Sequence, residues 1–221
     1  MPQLFAPLPA TATTRRRENT RQRLVRASLA VFVDKGIDGA TIDDLVKAAG
    51  FTRGAFYSSF STKLELFGAL FEDATDQVIG IIEQSVAELI DQEAQGEGCP
   101  VPRTDAEVLV GVFEAIRPYG RQWYLLYSEA VAYSLRDDEG RAQLSAQRTR
   151  VREVIAAILE RGMQEQGERS LIPVQDLAQL ILGIFVDLMV LEHLEETDTT
   201  ALASVTILGT LRAFIAPAEP R

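Results

Sequence analysis

The sequence contains one cysteine, one histidine, one tryptophan and three methionines in 221 residues, and each scarcity narrows what the chain can do. A lone cysteine, Cys99, rules out an intramolecular disulfide and fits a reducing compartment. A lone histidine, His193, has no second His or Cys spaced for a zinc site. A Cys–His nucleophile could only join Cys99, beside Pro100, to His193 on a distant helical segment. The chain also lacks a phosphate-binding P-loop, a dinucleotide-binding glycine fingerprint and a His-Glu-x-x-His pair. Neither enzymatic activity nor a cofactor or metal is expected. Long hydrophobic runs are missing too: the most apolar stretch, 177–194, is interrupted by Gln179, Asp187, Glu192 and His193, and a membrane span needs ~20 predominantly apolar residues. The first residues carry Arg15-Arg16-Arg17 with no apolar segment ahead of a cleavage site, so no secretory leader is expected. The expectation is a cytoplasmic protein without a membrane partner.

Positive charge is in short supply overall, 22 Lys and Arg against 32 Asp and Glu for a net charge of −10. Its distribution matters more than its sum. Residues 1–70 hold ten basic and six acidic side chains, a balance of +4, and residues 71–221 hold twelve and twenty-six, a balance of −14. All three lysines, Lys35, Lys47 and Lys63, lie in the first part. Such asymmetry is expected when one end of a protein meets a polyanion and the other does not.

What is abundant is helical periodicity. Residues 1–16, rich in Pro, Thr and Ala, read as a mobile polar and basic arm. From Glu18 onward Val25, Leu29, Phe32 and Val33 share one helical face, and Lys35-Gly36 closes that helix. Thr41 and Asp44 have capping-box spacing for a short helix ending before Gly50. Thr52 caps a third helix, expected to run to Phe60, and Thr62 with Glu65 starts a much longer one. The segment 95–103, with two Gly and two Pro, is a break, and Thr104 with Glu107 caps the helix after it. Arg117-Pro118-Tyr119-Gly120 ends or kinks that helix, and an aromatic-rich segment follows to Leu135. Helices are then expected over 137–168, from Pro173 to about Glu195, and over roughly 200–215. No strand-like alternation occurs, which predicts an all-α fold of about nine helices.

Two short helices joined by a tight turn containing Gly form a helix-turn-helix signature. Residues 24–67 carry Phe32, Gly36, Thr41, Ile42, Leu45, Ala49-Gly50, Gly54, Tyr57, Phe60, Lys63 and Leu66 in register. In this they resemble the N-terminal DNA-binding domain of the tetracycline-repressor family of transcription regulators. That resemblance implies a helix-turn-helix DNA-binding domain over 17–62 and a helical effector-binding and dimerisation domain over 63–221. It also implies that Thr41, Thr52, Tyr57 and Lys63 hold phosphates, with a contribution from Ser58 where the family often carries a bulkier polar group. Phe56 is larger than the aliphatic residue common at its position. The residues support this reading on chemical grounds. Arg53 opens the third helix, where an arginine can pair with guanine O6 and N7 in the major groove. Gly54 costs up to ~1 kcal/mol against Ala within a helix, which points to a close neighbour of its backbone. Thr41 and Thr52 can equally be caps alone, and Lys63 a solvated charge. Arg15–Arg17, with Arg21, suit a basic arm that reaches the duplex backbone or minor groove.

In the larger part, Phe113, Tyr119, Trp123, Tyr124, Tyr127 and Tyr133 cluster within 113–135. Aromatics with polar tips suit an apolar ligand site with a few orienting hydrogen bonds, though core filling serves any one of them as well. With the resemblance, Trp123, Tyr127, Phe185, Asp187 and Met189 are the candidate residues for a small-molecule effector. Asp187, in an apolar run, must face water, a partner or a ligand. Leu177, Leu180, Ile181, Ile184, Leu188 and Leu191 make 174–195 apolar nearly all round. This predicts burial against a second subunit, with the last two helices forming a homodimer. The expected function is a ligand-responsive repressor, a dimer on a palindromic double-stranded operator, released by its effector. The rival is a helical protein–protein adaptor without DNA binding, against which the charge split, Arg53 and Lys63 all speak.

Overall fold

The computed structural model describes Leu4, residues 16–94 and residues 105–218. Cys99, the 95–103 break and Thr104 lie outside the described residues, as do residues 1–3 and 5–15 of the arm, whose last residue, Arg16, opens α1. Among the described residues nine α-helices follow one another: α1 (Arg16–Gly39), α2 (Ile42–Ala49), α3 (Arg53–Tyr57), α4 (Lys63–Ala94), α5 (Asp105–Ile116), α6 (Gly120–Ser134), α7 (Asp138–Gln166), α8 (Val174–Glu195) and α9 (Thr200–Phe214). The Arg117-Pro118-Tyr119 sequence forms a single 3₁₀ turn between α5 and α6, since proline lacks the N–H that would continue an α-helix.

The all-α expectation holds, with one short addition. Two three-residue strands, β1 (Glu168–Ser170) and β2 (Ile215–Pro217), pair antiparallel with Arg169 opposite Ala216. Each is too short to show alternation in sequence. Gly167 at φ 66° makes the turn out of α7, and its carbonyl accepts the Ala218 N–H at 2.8 Å.

The residues group into two compact units. One comprises the chain to Gln77 with Gln122–Ser145, and the other Val78–Arg121 with Ala146–Arg221. The division between these units falls inside α4, and the first unit takes in most of α6. In the first unit α1, α2, α3 and the start of α4 close on Leu24, Phe32, Leu45, Phe56, Phe60, Leu66 and Leu70, all buried. The Phe32 and Phe67 rings meet edge to face at 5.4 Å. Each such side chain contributes roughly 1.5–3 kcal/mol of apolar transfer. Leu4, within the segment read as an arm, is itself buried and donates its N–H to Gln122 Oε1 at 3.0 Å.

Gly36 stops the regular course of α1 as expected. At φ 66° and ψ 177° it leaves the helix, in a left-handed region where a side chain is strained. Glu129 of α6 occupies the space beside it: an added Cβ would lie 2.8 Å from Oε1, and Oε2 accepts the Ile37 N–H at 3.0 Å.

In the second unit Leu109, Phe113, Ile155, Leu159, Leu177, Ile181 and Ile207 are buried. Arg117 ties its helix ends together. Its Nε lies 2.7 Å from Glu192 Oε1, Nη1 donates to Thr200 Oγ1, and Nη2 pairs with Asp198. The hydrogen bond to Glu192 raises the Arg117 pKa above its ordinary value despite opposing desolvation. By length and composition α8 could cross a membrane, and 39% of its most apolar window is buried inside the chain. Leu188, on this helix, belongs to the buried side.

Candidate nucleic-acid interface

The helix-turn-helix is built by local hydrogen bonds that the sequence announces. Thr41 Oγ1 accepts the Asp44 N–H while the Asp44 carboxylate accepts the Thr41 N–H, a complete capping box. Gly50 takes the left-handed conformation at φ 69° and its N–H returns to the end of α2. Thr52 then caps α3 by accepting the Ala55 N–H at 3.3 Å. At five residues α3 is shorter than expected: Ser58 is its C-cap, and Phe60 lies beyond it in the turn before α4. The start of α4 is also shifted from the simple box. Thr62 Oγ1 accepts the Glu65 N–H, but the Glu65 carboxylate reaches the Ser61 N–H, at 2.7 Å.

The candidate DNA-contacting residues divide by what their donors already do. Thr41 donates its hydroxyl hydrogen to Asp44 Oδ2 at 2.7 Å. Ser58 donates to the Ala55 carbonyl at 2.8 Å. Lys63 donates to the carbonyls of Asp38 at 3.1 Å and Ala40 at 3.0 Å. Among the described residues, then, Thr41 and Ser58 serve their helix ends, and the Lys63 ammonium joins the end of α1 to the start of α4, with one N–H left over. Thr52 uses its oxygen as an acceptor and keeps its hydrogen. Tyr57 is 58% exposed, its ring edge-on to Phe56 at 5.4 Å. Gly54 is exposed, and an added Cβ would meet only Thr52 Oγ1, at 3.7 Å. Nothing among the described residues requires glycine there.

Arg53 is exposed and forms a two-pronged ion pair with Asp43: Nε to Oδ1 and Nη2 to Oδ2, both 2.6 Å. The hydrogen bond from Arg53 depresses the Asp43 pKa and raises that of Arg53. Sequence reading missed Asp43, because an acid in a helix's first turn already has a purpose in complementing the macrodipole. Asp44 is likewise held well below the usual carboxylate range, first by the Lys35 ammonium at 2.7 Å and then by the Thr41 hydroxyl and N–H. Its stabilising contribution is therefore present at neutral pH and is lost only as pH falls below the ordinary carboxylate range. Further cationic groups lie along α1, with Arg21 over the Phe60 ring at 4.9 Å and Arg23 over Phe51 at 4.8 Å.

The effector candidates are placed differently from one another. Trp123 and Tyr127, in the first unit, stack at 4.9 Å with an interplanar angle of 11°. Trp123 is 7% exposed, and its buried Nε1 has no hydrogen-bond partner among the described residues, an uncommon state for an indole. Phe185 and Met189, in the second unit, are buried in its core. Phe185 packs on Phe113 at 5.6 Å, and Met189 lies against Gly120. Asp187 is exposed, as are Leu180, Gly183 and Leu194 on the same side of α8. It points away from the core of its unit, where water solvates the polar carboxyl group that an apolar core would penalise.

Comparison with known proteins agrees with this geometry. Residues 24–70 match the family model described as bacterial regulatory proteins, tetR family. Over 212 residues the chain is 29% identical to the HTH-type transcriptional regulator SrpR of Pseudomonas putida, covering 93% of this chain and 90% of that protein. It is 25% identical over 172 residues to the HTH-type transcriptional repressor KstR2 of Rhodococcus jostii, covering 77% and 78%. Among solved structures, the transcriptional regulator FadR of Bacillus subtilis in complex with stearoyl-CoA superposes with a TM-score of 0.63 at 18% identity, over 86% of this chain and 96% of that one.

Proposed function

Because the chain belongs to the tetR family of bacterial regulatory proteins, non-enzymatic DNA-binding transcription factors, we propose that it is an effector-released repressor acting as a homodimer on a palindromic operator. The observation that carries the DNA-reading part is the exposed face of α3, where Arg53, Tyr57 and a glycine that none of the described residues requires stand side by side. Arg53 reads a base edge, Tyr57 and Thr52 hold phosphates, and the Gly54 backbone lies close to the duplex. Lys63 and Thr41 set the position of the helices, and the spare N–H of Lys63 adds to phosphate binding.

Gly54→Ala tests this directly. With no internal clash and a better helix former, the variant is expected to melt at the same temperature as the parent or higher. Its affinity for a duplex selected by the wild-type protein is nonetheless expected to fall by at least about tenfold, or ~1.4 kcal/mol. Unchanged affinity would remove Gly54 from the DNA contact, and the absence of any salt-dependent mobility shift with the parent protein would favour the adaptor reading.

The effector is proposed to be a small molecule with an apolar body and a hydrogen-bond acceptor. Trp123 Nε1 supports this, as a buried donor without an acceptor among the described residues. The α4 and α7 helices each run unbroken from one unit into the other, so a ligand that shifts either changes how the recognition helices are presented. A coupling of ~1–3 kcal/mol would weaken operator binding by ~5–150-fold, and by reciprocity operator would weaken the ligand by the same factor. A ligand found by thermal shift should quench or shift Trp123 fluorescence and bind less tightly when operator is present. Equal affinity for free and DNA-bound protein would refute the release mechanism while leaving DNA binding intact. Such a regulator works in the cytoplasm.

A further inference from the structure

The Arg53–Asp43 pair has a geometry that goes beyond stabilising two exposed side chains. A guanidinium carries five N–H donors in a rigid planar fork. Asp43 takes one edge of that fork, the Nε–H and one hydrogen of Nη2. The opposite edge, formed by Nη1 and the second hydrogen of Nη2, stays unengaged by Asp43 and presents two parallel N–H groups. That edge has the spacing to pair with O6 and N7 of a guanine in the major groove. The two residues sit on different helices joined by the Gly50 turn: Asp43 in the first turn of α2 and Arg53 at the first position of α3.

We propose that Asp43 is a specificity-determining positioning residue, whose carboxylate holds the Arg53 guanidinium side-on so that its outer edge meets guanine end-on. The proposal rests on the assignment of Arg53 to base reading and adds what gives that reading its selectivity. A free arginine on an exposed helix can swing among phosphates and several base edges. One held by two hydrogen bonds has lost the entropy of that choice before DNA arrives. The carboxylate also has a cost, since it places negative charge near a polyanion and so weakens binding to every sequence. The expected signature is therefore an opposition: Asp43 lowers affinity for non-cognate DNA and raises discrimination at one base pair per half-site.

The experiment uses the full-length protein, a duplex that the wild type selects from a random-sequence pool, and that duplex with each base pair replaced in turn. The wild type should prefer guanine at the Arg53 position by about 5–150-fold, the range for a bidentate pair. Asp43→Ala should reduce that preference at least about fivefold, at this position only, while affinity for non-cognate duplex stays level or rises. Asp43→Asn, which keeps the size but offers one acceptor where two are needed, should lose preference too. In an Arg53→Ala background, Asp43→Ala should change the preference no further.

If Asp43→Ala tightens operator binding and keeps the full preference, the carboxylate is a clamp that DNA must open, and the positioning role is overturned. If it lowers the melting temperature and weakens all duplexes equally, the role is only structural, and the proposal is again overturned. If Arg53→Ala loses no base preference, the base-reading assignment fails, and positioning by Asp43 fails with it.

Discussion

Replacing Leu202 and Val205 together by glutamate is expected to yield a folded monomer whose operator affinity is lower by about 10²–10⁴-fold, the factor that joining two binding modules provides. The choice of residues follows from burial. Leu202 is 43% and Val205 69% exposed on α9, and Leu180 is 43% exposed on α8. Gly183 and Gly209 stand on the outer faces of the same helices, exposed and with nothing within 4 Å of an added Cβ. Apolar side chains and bare glycine backbone on neighbouring helices suit close packing against a second copy, and a two-fold axis uses each residue twice. Glutamates here cost the single chain little, because water still reaches them, but in the proposed dimer they would become unpaired buried charges. Leu188 would be the wrong target despite its place in the same apolar run. It is 3% exposed, so a charge there would test the core of the unit. Sedimentation or light scattering at micromolar protein, with operator titration alongside, reads the result. A dimeric mass with undiminished affinity would place the interface elsewhere.

Phe56→Ala is expected to destabilise the DNA-binding unit by about 3–5 kcal/mol, the usual cost of emptying a buried phenylalanine site. Phe56 is fully buried, lies 6.1 Å from the Phe60 ring and supports Tyr57 edge-on. Two of its neighbours thus depend on it, and α3 has only five residues with which to hold itself. Urea unfolding at fixed protein concentration would measure the loss, and DNA binding should weaken along with it. Phe56→Leu keeps most of the volume and should cost less than about 2 kcal/mol, because conservative apolar replacements let a core repack. Equal costs for the two variants would mean that ring contacts, rather than volume, hold α3 in place.

What the sequence alone determined about this protein is everything that closes within one helical turn or at one backbone angle. The capping box of Thr41 and Asp44, the Thr52 cap, and the glycine stops at Gly36 and Gly50 each depend on residues at most three or four apart, or on a positive φ. All of them were legible, as were the helix order and the charge split. Arg53 and Gly54 also stood out, the one for its chemistry and the other for its cost. Only the tertiary structure decided which of those side chains have donors to spare. Lys63 bonds to carbonyls more than twenty positions away, and Asp43 meets Arg53 across a turn. The sequence pattern did not show that Leu202 and Val205 face outward while Leu188 faces inward, since α8 and α9 are apolar almost all round. It likewise did not foretell the β1–β2 clip, which joins segments more than forty residues apart, nor a unit boundary falling within α4. Periodicity tells which faces are greasy, but the partner of each face is chosen by packing energies summed over segments distant in the chain, and no local pattern encodes that sum.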